Sequence, residues 1–501
     1  MTITFSVPVQ TGTSDRHHAD AAAGNSAAAE LAIDALQDAL SGTGDLDKIL
    51  LRAAAGAGKS YALVRMVNQA LQHPDCSRVG ITAFANKQVF PLAGRLGEEL
   101  GAENVCLFVA RDRRSDVPPD VMSKVTIAVS TSEIPSTAMV VLGTSHKLGA
   151  FGERGRLLNH LGAGTNGERI FDVLMVDEAW QLALHRFNAV EGLAPVVVGV
   201  GDVGQLPPLD PGQNPWRGDP GYNPFRAWPT AYENSPTTFV VDLPAVWRPT
   251  AEQLPLWRAF YSDWDELDCV AAPGDRVLDL PPLSGALADV WSAVATGRPT
   301  LLEVDGLEEP DAADIDPPLL AVVEELLLPL LEGGFTVRER RYDGIGQPQD
   351  ELRVESWTPS GDPLIVILAT RNQAVDDAAE IAERLRDKLS LPDGVIQAST
   401  VDSWQGQTNR LTIAIHPLSG ASKLDDFNSA FGRLAVTCTR ATHGLLMVAR
   451  AGLDDLLDAA PPRPGTPFGE PGPRSLPRQT HQRILGTFTR GTWRRDEGVE
   501  Q

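Results

Sequence analysis

Short apolar runs recur along the chain: KILLRAA (48–54), RVGITAF (78–84), AMVVLGT (138–144), FDVLMVD (171–177), PVVVGVG (195–201), LIVILAT (364–370), RLTIAIH (410–416) and GLLMVAR (444–450). Each run is continuous rather than alternating, the pattern of strands buried on both faces of a parallel sheet. The longer stretches between them supply the covering helices, so the pattern predicts an α/β chain built on parallel sheets. An Ala-rich segment at 20–31 predicts a helix that continues through Leu40.

The runs fall into two clusters, separated by a Pro- and aromatic-rich segment from Leu206 to Thr238 that contains NPWRGDPGYNPFRAWP. The expected organisation is an N-terminal helical and partly disordered segment (1–45), one α/β domain at 46–240 and another at 241–452. A Pro-rich and then basic tail (453–501) follows, with six arginines and no acid between Pro471 and Arg495. The tail either binds nucleic acid or a protein partner, pairing its arginines with Phe488 and Trp493, or is a mobile solubilising end. Trp216, Tyr222, Phe225 and Trp228, beside Arg217 and Arg226, are read as aromatics packed at a domain seam or as a stacking surface. The doublet His17-His18 is read as part of a mobile N-terminus.

Composition narrows the class. The 501 residues are 43% hydrophobic and 22% charged, enough to build ordinary cores, and the formal charge of -23 opposes nonspecific coating of nucleic acid while permitting a narrow basic channel. The N-terminus lacks a signal-peptide pattern, and the most apolar stretch, LLAVVEELLLPLLEGG, is broken by glutamates and a proline. The expectation is a cytoplasmic protein with no membrane span. Cys76, Cys106, Cys269 and Cys438 form no CxxC pair, so buried free thiols are expected rather than a zinc site or disulfides. Only 7 of the 43 basic residues are Lys, and Lys59, Lys87 and Lys147 all fall inside motifs.

The first motif is AAAGAGKS (53–60), following KILLRA: a strand, a Gly-containing loop and a helix start, as in a P-loop with Ala53 replacing its first glycine. Backbone N–H groups at Gly56, Ala57 and Gly58 would cradle phosphates, Lys59 would reach the β- and γ-phosphates of ATP, and Ser60 would ligate Mg²⁺. FDVLMVDEAW ends a buried strand in Asp177 and Glu178, one carboxylate to approach Mg²⁺ and one to orient or deprotonate the attacking water. GVGDVGQLPPL (199–209) then leaves an apolar strand at Gly-Asp and sets Gln205 before prolines that stiffen the loop.

In these residues and those that follow, the chain resembles the superfamily 1 helicases, especially their RecD-like and Upf-like branches. GDVGQLPPL resembles the motif GDxxQLPP, which assigns Gln205 to sensing the γ-phosphate. ITAFANKQV (81–89) and LGTSHKLG (142–149) resemble motifs that touch the nucleic-acid backbone, which implies Thr82, Asn86, Lys87, Thr144 and His146 as contacts. VVDLPAVWRP resembles an L-x-x-x-Y-R element, placing Trp247 against adenine and Arg248 at the γ-phosphate. LIVILATRNQ is similar to a motif that usually contains TPYRAQ, with Arg371 and Gln373 in place. ASTVDSWQGQTNRLTIAI is similar to TVDSFQGREFDVIIVS, implicating Thr400, Asp402 and Gln405 in nucleic-acid contact and Gly406 at the nucleotide. RLAVTCTRATHGLLMVA resembles RLNVALTRAKRGLLIVG and makes Arg440 the arginine finger.

The resemblance runs from residue 53 to 450 in the family's order. It implies two tandem RecA-like domains that close on ATP and Mg²⁺ and step along a single strand, DNA favoured over RNA, with a lean towards 5'-to-3' travel. Three departures stand out. Trp180 follows DEA where the family usually has Gln, Thr408 stands where a glutamate commonly holds the ribose, and no clear Q-motif precedes the P-loop, Gln37 being read as a helix-surface residue rather than a Q-motif glutamine. An RNA helicase, or a nucleotide-controlled switch subunit of a repair, transfer or defence complex with little unwinding, remain the competing readings; Trp180 supports the latter.

Overall fold

The computed structural model describes residues 2–9, 16–165, 167–208, 214–216, 222–262, 264, 266–312, 315–355, 357–358, 361–462 and 476–495. The chain divides into two compact units. The first comprises Gly24–Val203 and Pro207–Pro244; the second comprises Met1–Ala23, Gly204–Leu206 and Ala245–Gln501.

The first unit is built on eight strands: β1 (Lys48–Ala53), β2 (Val79–Ala83), β3 (Val105–Phe108), β4 (Thr126–Ala128), β5 (Val140–Thr144), β6 (Val173–Asp177), β7 (Val196–Asp202) and β8 (Thr238–Leu243). They form one sheet in the order β4-β3-β5-β2-β6-β7-β1-β8 with every neighbouring pair parallel. The all-apolar runs sit inside it: β2, β3, β6 and β7 are buried along their whole length. In register, Ala53 lies opposite Asp202, and Asp177 opposite Val200. The loops after β1, β6 and β7 therefore leave the sheet at one carboxyl edge, where ligands of parallel sheets bind.

Two glycines of β7 make room for aromatic rings. A Cβ on Gly199 would lie 2.7 Å from the Trp228 ring, and one on Gly201 would lie 2.7 Å from the Trp180 ring. Trp228 is fully buried and stacks on Phe187 at 4.0 Å, within the core of this unit. The aromatic segment thus divides: Trp228 is a core residue, while Trp216 and Tyr222 stay 39% and 52% exposed. Arg217 lies outside the described residues.

The second unit continues with β9 (Ala245–Val246), β10 (Asp268–Cys269), β11 (Arg276–Asp279), β12 (Thr300–Asp305), β13 (Thr336–Tyr342), β14 (Pro348–Glu355), β15 (Ile365–Ala369), β16 (Ile396–Thr400), β17 (Asn409–Ile415), β18 (Ala441–Arg450) and β19 (Thr489–Arg494). Its main sheet, β16-β15-β17-β18-β12-β19, is again all parallel. An antiparallel trio, β11-β13-β14, forms a separate sheet whose Leu278 and Val337 pack in the same core as the main sheet. The most apolar stretch forms the helix Pro317–Glu332, whose Leu319, Val323, Leu326, Leu327 and Leu330 are buried in this unit's core. Among the described residues no helix is long and apolar enough to cross a membrane. The architecture is the expected α/β fold with two helix-flanked parallel sheets.

Both chain ends contribute to the second unit. The segment read from composition as a basic tail folds into a helix, Pro477–Leu485, and the edge strand β19. Phe488 and Trp493 are buried rather than presented to a polymer. Arg478, Arg490 and Arg495 face acids: Asp458 at 3.3 Å, Glu303 at 2.8 Å and Glu325 at 2.6 Å. The physical reason is periodicity. Thr480, His481, Ile484 and Leu485 share one helix face, and Thr489, Gly491 and Trp493 alternate inward along β19. At the other end His18, at φ 52°, opens the helix His18–Leu40, and its Nε2 lies 2.7 Å from an Asp275 carboxylate oxygen. The ring of His17 lies 2.9 Å from the Cys269 carbonyl. The doublet is thus anchored, not part of a mobile end. All four cysteines are buried and unbonded.

Three histidines of this unit are buried and held neutral. Burial, then His481 and Arg490, lowers the pKa of His416; burial, then Arg276 and Arg410, lowers that of His443; burial brings His481 down to about 4. A histidine whose folded pKa is depressed contributes stability that is fully present above its unfolded pKa and is lost as pH falls toward the folded one. The contribution of these histidines to the unfolding free energy should therefore drop between about pH 6.5 and pH 4, by roughly 3 kcal/mol for His481. Urea titrations of wild type and His481→Asn across that range check it: the difference between them should change with pH, and a difference that stays constant would contradict it.

Candidate nucleotide site

The loop after β1 is shaped by glycine. Gly56 and Gly58 have φ of 75° and 91°, left-handed values that cost side-chain-bearing residues about 1–2 kcal/mol. Around them Ala54, Ala55 and Ala57 are buried, so the turn is packed from below. Gly58 is the N-cap of the helix Lys59–Gln72, which docks Leu63, Met66, Val67 and Ala70 into the core and carries no acid in its first turn. The N-terminus of this 14-residue helix therefore offers amide N–H groups and the positive end of its dipole, with Lys59 and Ser60 as its first two residues. That arrangement fits a phosphate chain.

Asp177 is the last residue of β6 and Glu178 the first beyond it. Glu178 adopts φ 50° and ψ 47°, one of three non-glycine residues with positive φ among those described. Its amide donates to Asp177 Oδ1 at 2.9 Å. Its carboxylate meets Lys59 Nζ at 3.1 Å, their side chains being 14% and 11% exposed. A strained residue that brings a carboxylate to the lysine at a helix N-terminus is what functional sites retain at a cost in stability. Gln181 Nε2 donates to the same carboxylate at 3.3 Å, and its Oε1 accepts from Gln88 Nε2 at 2.8 Å.

Asp177 is 7% exposed. Burial first, and the Glu178 carboxylate second, push its acid up to about 7, against the opposing influence of Lys59. A buried carboxyl so poised favours a cation as partner, and the oxygen donors of Asp177 and Ser60 are of the kind a hard divalent ion such as Mg²⁺ takes. Trp180 points away from this chemistry: it is buried in the core against Gly201, and its Nε1 donates to Glu233 at 3.2 Å.

The second unit holds the remaining nucleotide candidates. Gln205 is buried and its Oε1 accepts from Gln405 Nε2 at 3.1 Å, joining two residues the motifs set 200 positions apart. The next residue, Leu206, packs so closely on Gly432 that a Cβ on that glycine would come within 2.7 Å of the leucine Cα. Arg248 donates to the Thr439 carbonyl at 3.1 Å, and buried Arg440 donates to the Thr439 hydroxyl at 2.8 Å, so both candidate cations gather on one residue. Arg276 binds the carbonyls of Trp247, Arg248 and Pro249 and fixes that segment. Trp247 is half-buried, its ring centroid 6.5 Å from that of Tyr342. Gly406 has φ 82° in an exposed turn.

The nucleic-acid candidates separate by exposure. In the first unit Lys87 and His146 are exposed and Asn86 half-buried, with the Phe84 ring 6.0 Å from that of His146. Although His146 is exposed, partial desolvation of its ring, then Arg186 and His185, lowers its pKa. Thr144 caps the turn after β5 by accepting from the Lys147 amide at 3.3 Å, and the Lys147 ammonium sits 4.0 Å over the Phe108 ring. Thr82 is fully buried. In the second unit Arg371 and Asp402 lie just beyond β15 and β16, and Thr400 is the last residue of β16. Asp402 is paired by Arg433 at 3.1 Å, and Phe427 lies under both Arg433 (4.1 Å) and Arg371 (4.8 Å). Phe427, Arg433, Gln88 and Gln181 escaped the sequence reading. Only Gln88 carried a signal: its place three residues after the N-cap of the helix Asn86–Leu100 suits a capping glutamine.

No protein-family model matches the chain, and no curated protein matches it. Solved helicase structures do. The chain is similar to the PRRSV helicase at 14% identity and TM-score 0.36, over 83% of this chain and 56% of that one. It is similar to the arterivirus nonstructural protein 10 helicase, solved with DNA, at 13% identity and TM-score 0.38, over 85% of this chain and 64% of that one. It is similar to the Escherichia coli DEAH/RHA helicase HrpB at 12% identity and TM-score 0.39, over 86% of this chain and 43% of that one. This chain thus spans less than two thirds of the length of each.

Proposed function

We propose that this protein is an ATP-hydrolysing nucleic-acid motor of the superfamily 1 helicase type that moves along single-stranded DNA. The observation that supports this reading most is the set of Lys59, Ser60, Asp177 and Glu178 gathered at one carboxyl edge, around a glycine-shaped loop and a helix N-terminus. Lys59 and the loop amides hold the phosphate chain of ATP. Asp177 and Ser60 hold Mg²⁺, which when bound supplies charge neutralisation to the phosphates. Glu178 orients the attacking water and accepts its proton. Gln205, Arg248 and Arg440 keep the γ-phosphate roles that the resemblance assigns them, and cycles of hydrolysis drive the movement.

The ground for a switch subunit is Trp180 in the place of a coupling glutamine. Its ring is a core residue and Gln181, one position on, makes the polar contact to Glu178, so that ground weakens. The test is steady-state ATP hydrolysis with oligo-dT, with oligo-U and without either. The expected result is stimulation by oligo-dT; stimulation by oligo-U alone would make the track RNA, and none by either would overturn the motor reading.

A further inference from the structure

Two side chains and one backbone amide connect the turn before the helix Asn86–Leu100 to the candidate catalytic carboxylate. The Ala85 N–H donates to Gln88 Oε1 at 2.9 Å; Gln88 Nε2 donates to Gln181 Oε1 at 2.8 Å; Gln181 Nε2 donates to Glu178 Oε2 at 3.3 Å. Lys59 Nζ donates to that same Oε2 at 3.1 Å. The ends of the line dictate its direction. A backbone N–H only donates and a carboxylate only accepts, so each glutamine must present its oxygen toward Ala85 and its nitrogen toward Glu178. Gln88 and Gln181 are half-buried, where such bonds are stronger than in open water.

We infer that Gln88 and Gln181 are a positioning relay through which nucleic acid held at Asn86 and Lys87 sets the place of the Glu178 carboxylate and so stimulates hydrolysis. The inference rests on the proposed motor function. Gln88 belongs to the same first helical turn as Asn86 and Lys87, so a strand phosphate that draws on this turn moves the amide that reaches Gln181. Glu178 is shared between Gln181 and Lys59, so a shift of Gln181 changes how firmly Lys59 holds the carboxylate that has to meet the water.

A helix cap alone would also explain Gln88, and Gln88→Glu separates the two roles. Glutamate still accepts from the Ala85 N–H, as capping residues at this position do, but it cannot donate to Gln181. The experiment uses the full chain and compares wild type, Gln88→Glu, Gln181→Leu and the double variant. It reads the ratio of ATP hydrolysis with and without oligo-dT or oligo-U, together with the affinity for that oligonucleotide by fluorescence anisotropy. The expected result is a fall in the stimulation ratio of about fivefold or more in each single variant, with oligonucleotide affinity kept within about twofold. The double variant should fall no further than the singles, because one line is cut only once. Full stimulation in Gln88→Glu, losses that add in the double variant, or a loss of stimulation matched by lost affinity would each overturn the relay. A wild type that neither polymer stimulates would instead overturn the motor reading on which it rests.

Discussion

Glu178→Gln should lower ATP turnover by about 10²- to 10⁴-fold, the usual contribution of a positioned general base, and at the same time tighten ATP binding. The two effects share one cause. The Lys59 ammonium lies 3.1 Å from the Glu178 carboxylate, both side chains being largely buried, so a phosphate chain that binds Lys59 competes with an anion that holds it. The amide of Gln is nearly isosteric and still receives the Gln181 contact, yet carries no charge. Removing a charge-assisted contact of about 1.4 kcal/mol from the free state would strengthen nucleotide binding by about tenfold. Single-turnover hydrolysis and equilibrium binding of ATP measure the two quantities separately. Turnover that survives the substitution would remove Glu178 from the chemistry, and an unchanged affinity would show that its pairing with Lys59 does not compete with phosphate.

The parallel sheets were legible because both faces of β2, β6 and β7 are covered, which leaves unbroken apolar runs that periodicity alone identifies. The glycine-shaped loop after β1 and the acid pair at the end of β6 were legible because each lies in contiguous residues. What escaped has a different character. Gln88 and Gln181 are 93 positions apart and become a pair only when β2 and β6 lie side by side, a register no linear pattern carries. Arg433 and Phe427 likewise acquire meaning only beside Asp402 and Arg371. The segment after Pro471 misled through composition: its six arginines are conspicuous, whereas the inward alternation of Thr489, Gly491 and Trp493 on β19 carries the fold. Trp180 stands out as a departure from a familiar motif, but the glycine at 201 that accommodates its ring marks it as a packing residue.

Lys59→Ala should abolish both halves of what Glu178→Gln separates. Turnover should fall by about 10³-fold or more, since a preorganised cation at the developing phosphate charge is lost, and ATP affinity should fall instead of rising. The free protein changes as well. Glu178 loses its ammonium partner, and Asp177, whose acid is already pushed up to about 7 by burial and by Glu178, loses the cation that opposes that push. Lys59→Arg should rescue little, because a planar guanidinium is bulkier than an ammonium point charge and the turn between Gly56 and Gly58 is packed from below by buried alanines. A chain that uses Lys at only 7 of 43 basic positions and keeps one here is consistent with that demand. Opposite shifts of ATP affinity in Glu178→Gln and Lys59→Ala would identify the pair as one electrostatic element whose ammonium passes between carboxylate and phosphate. Shifts in the same direction would mean that the pairing of Lys59 with Glu178 does not compete with phosphate.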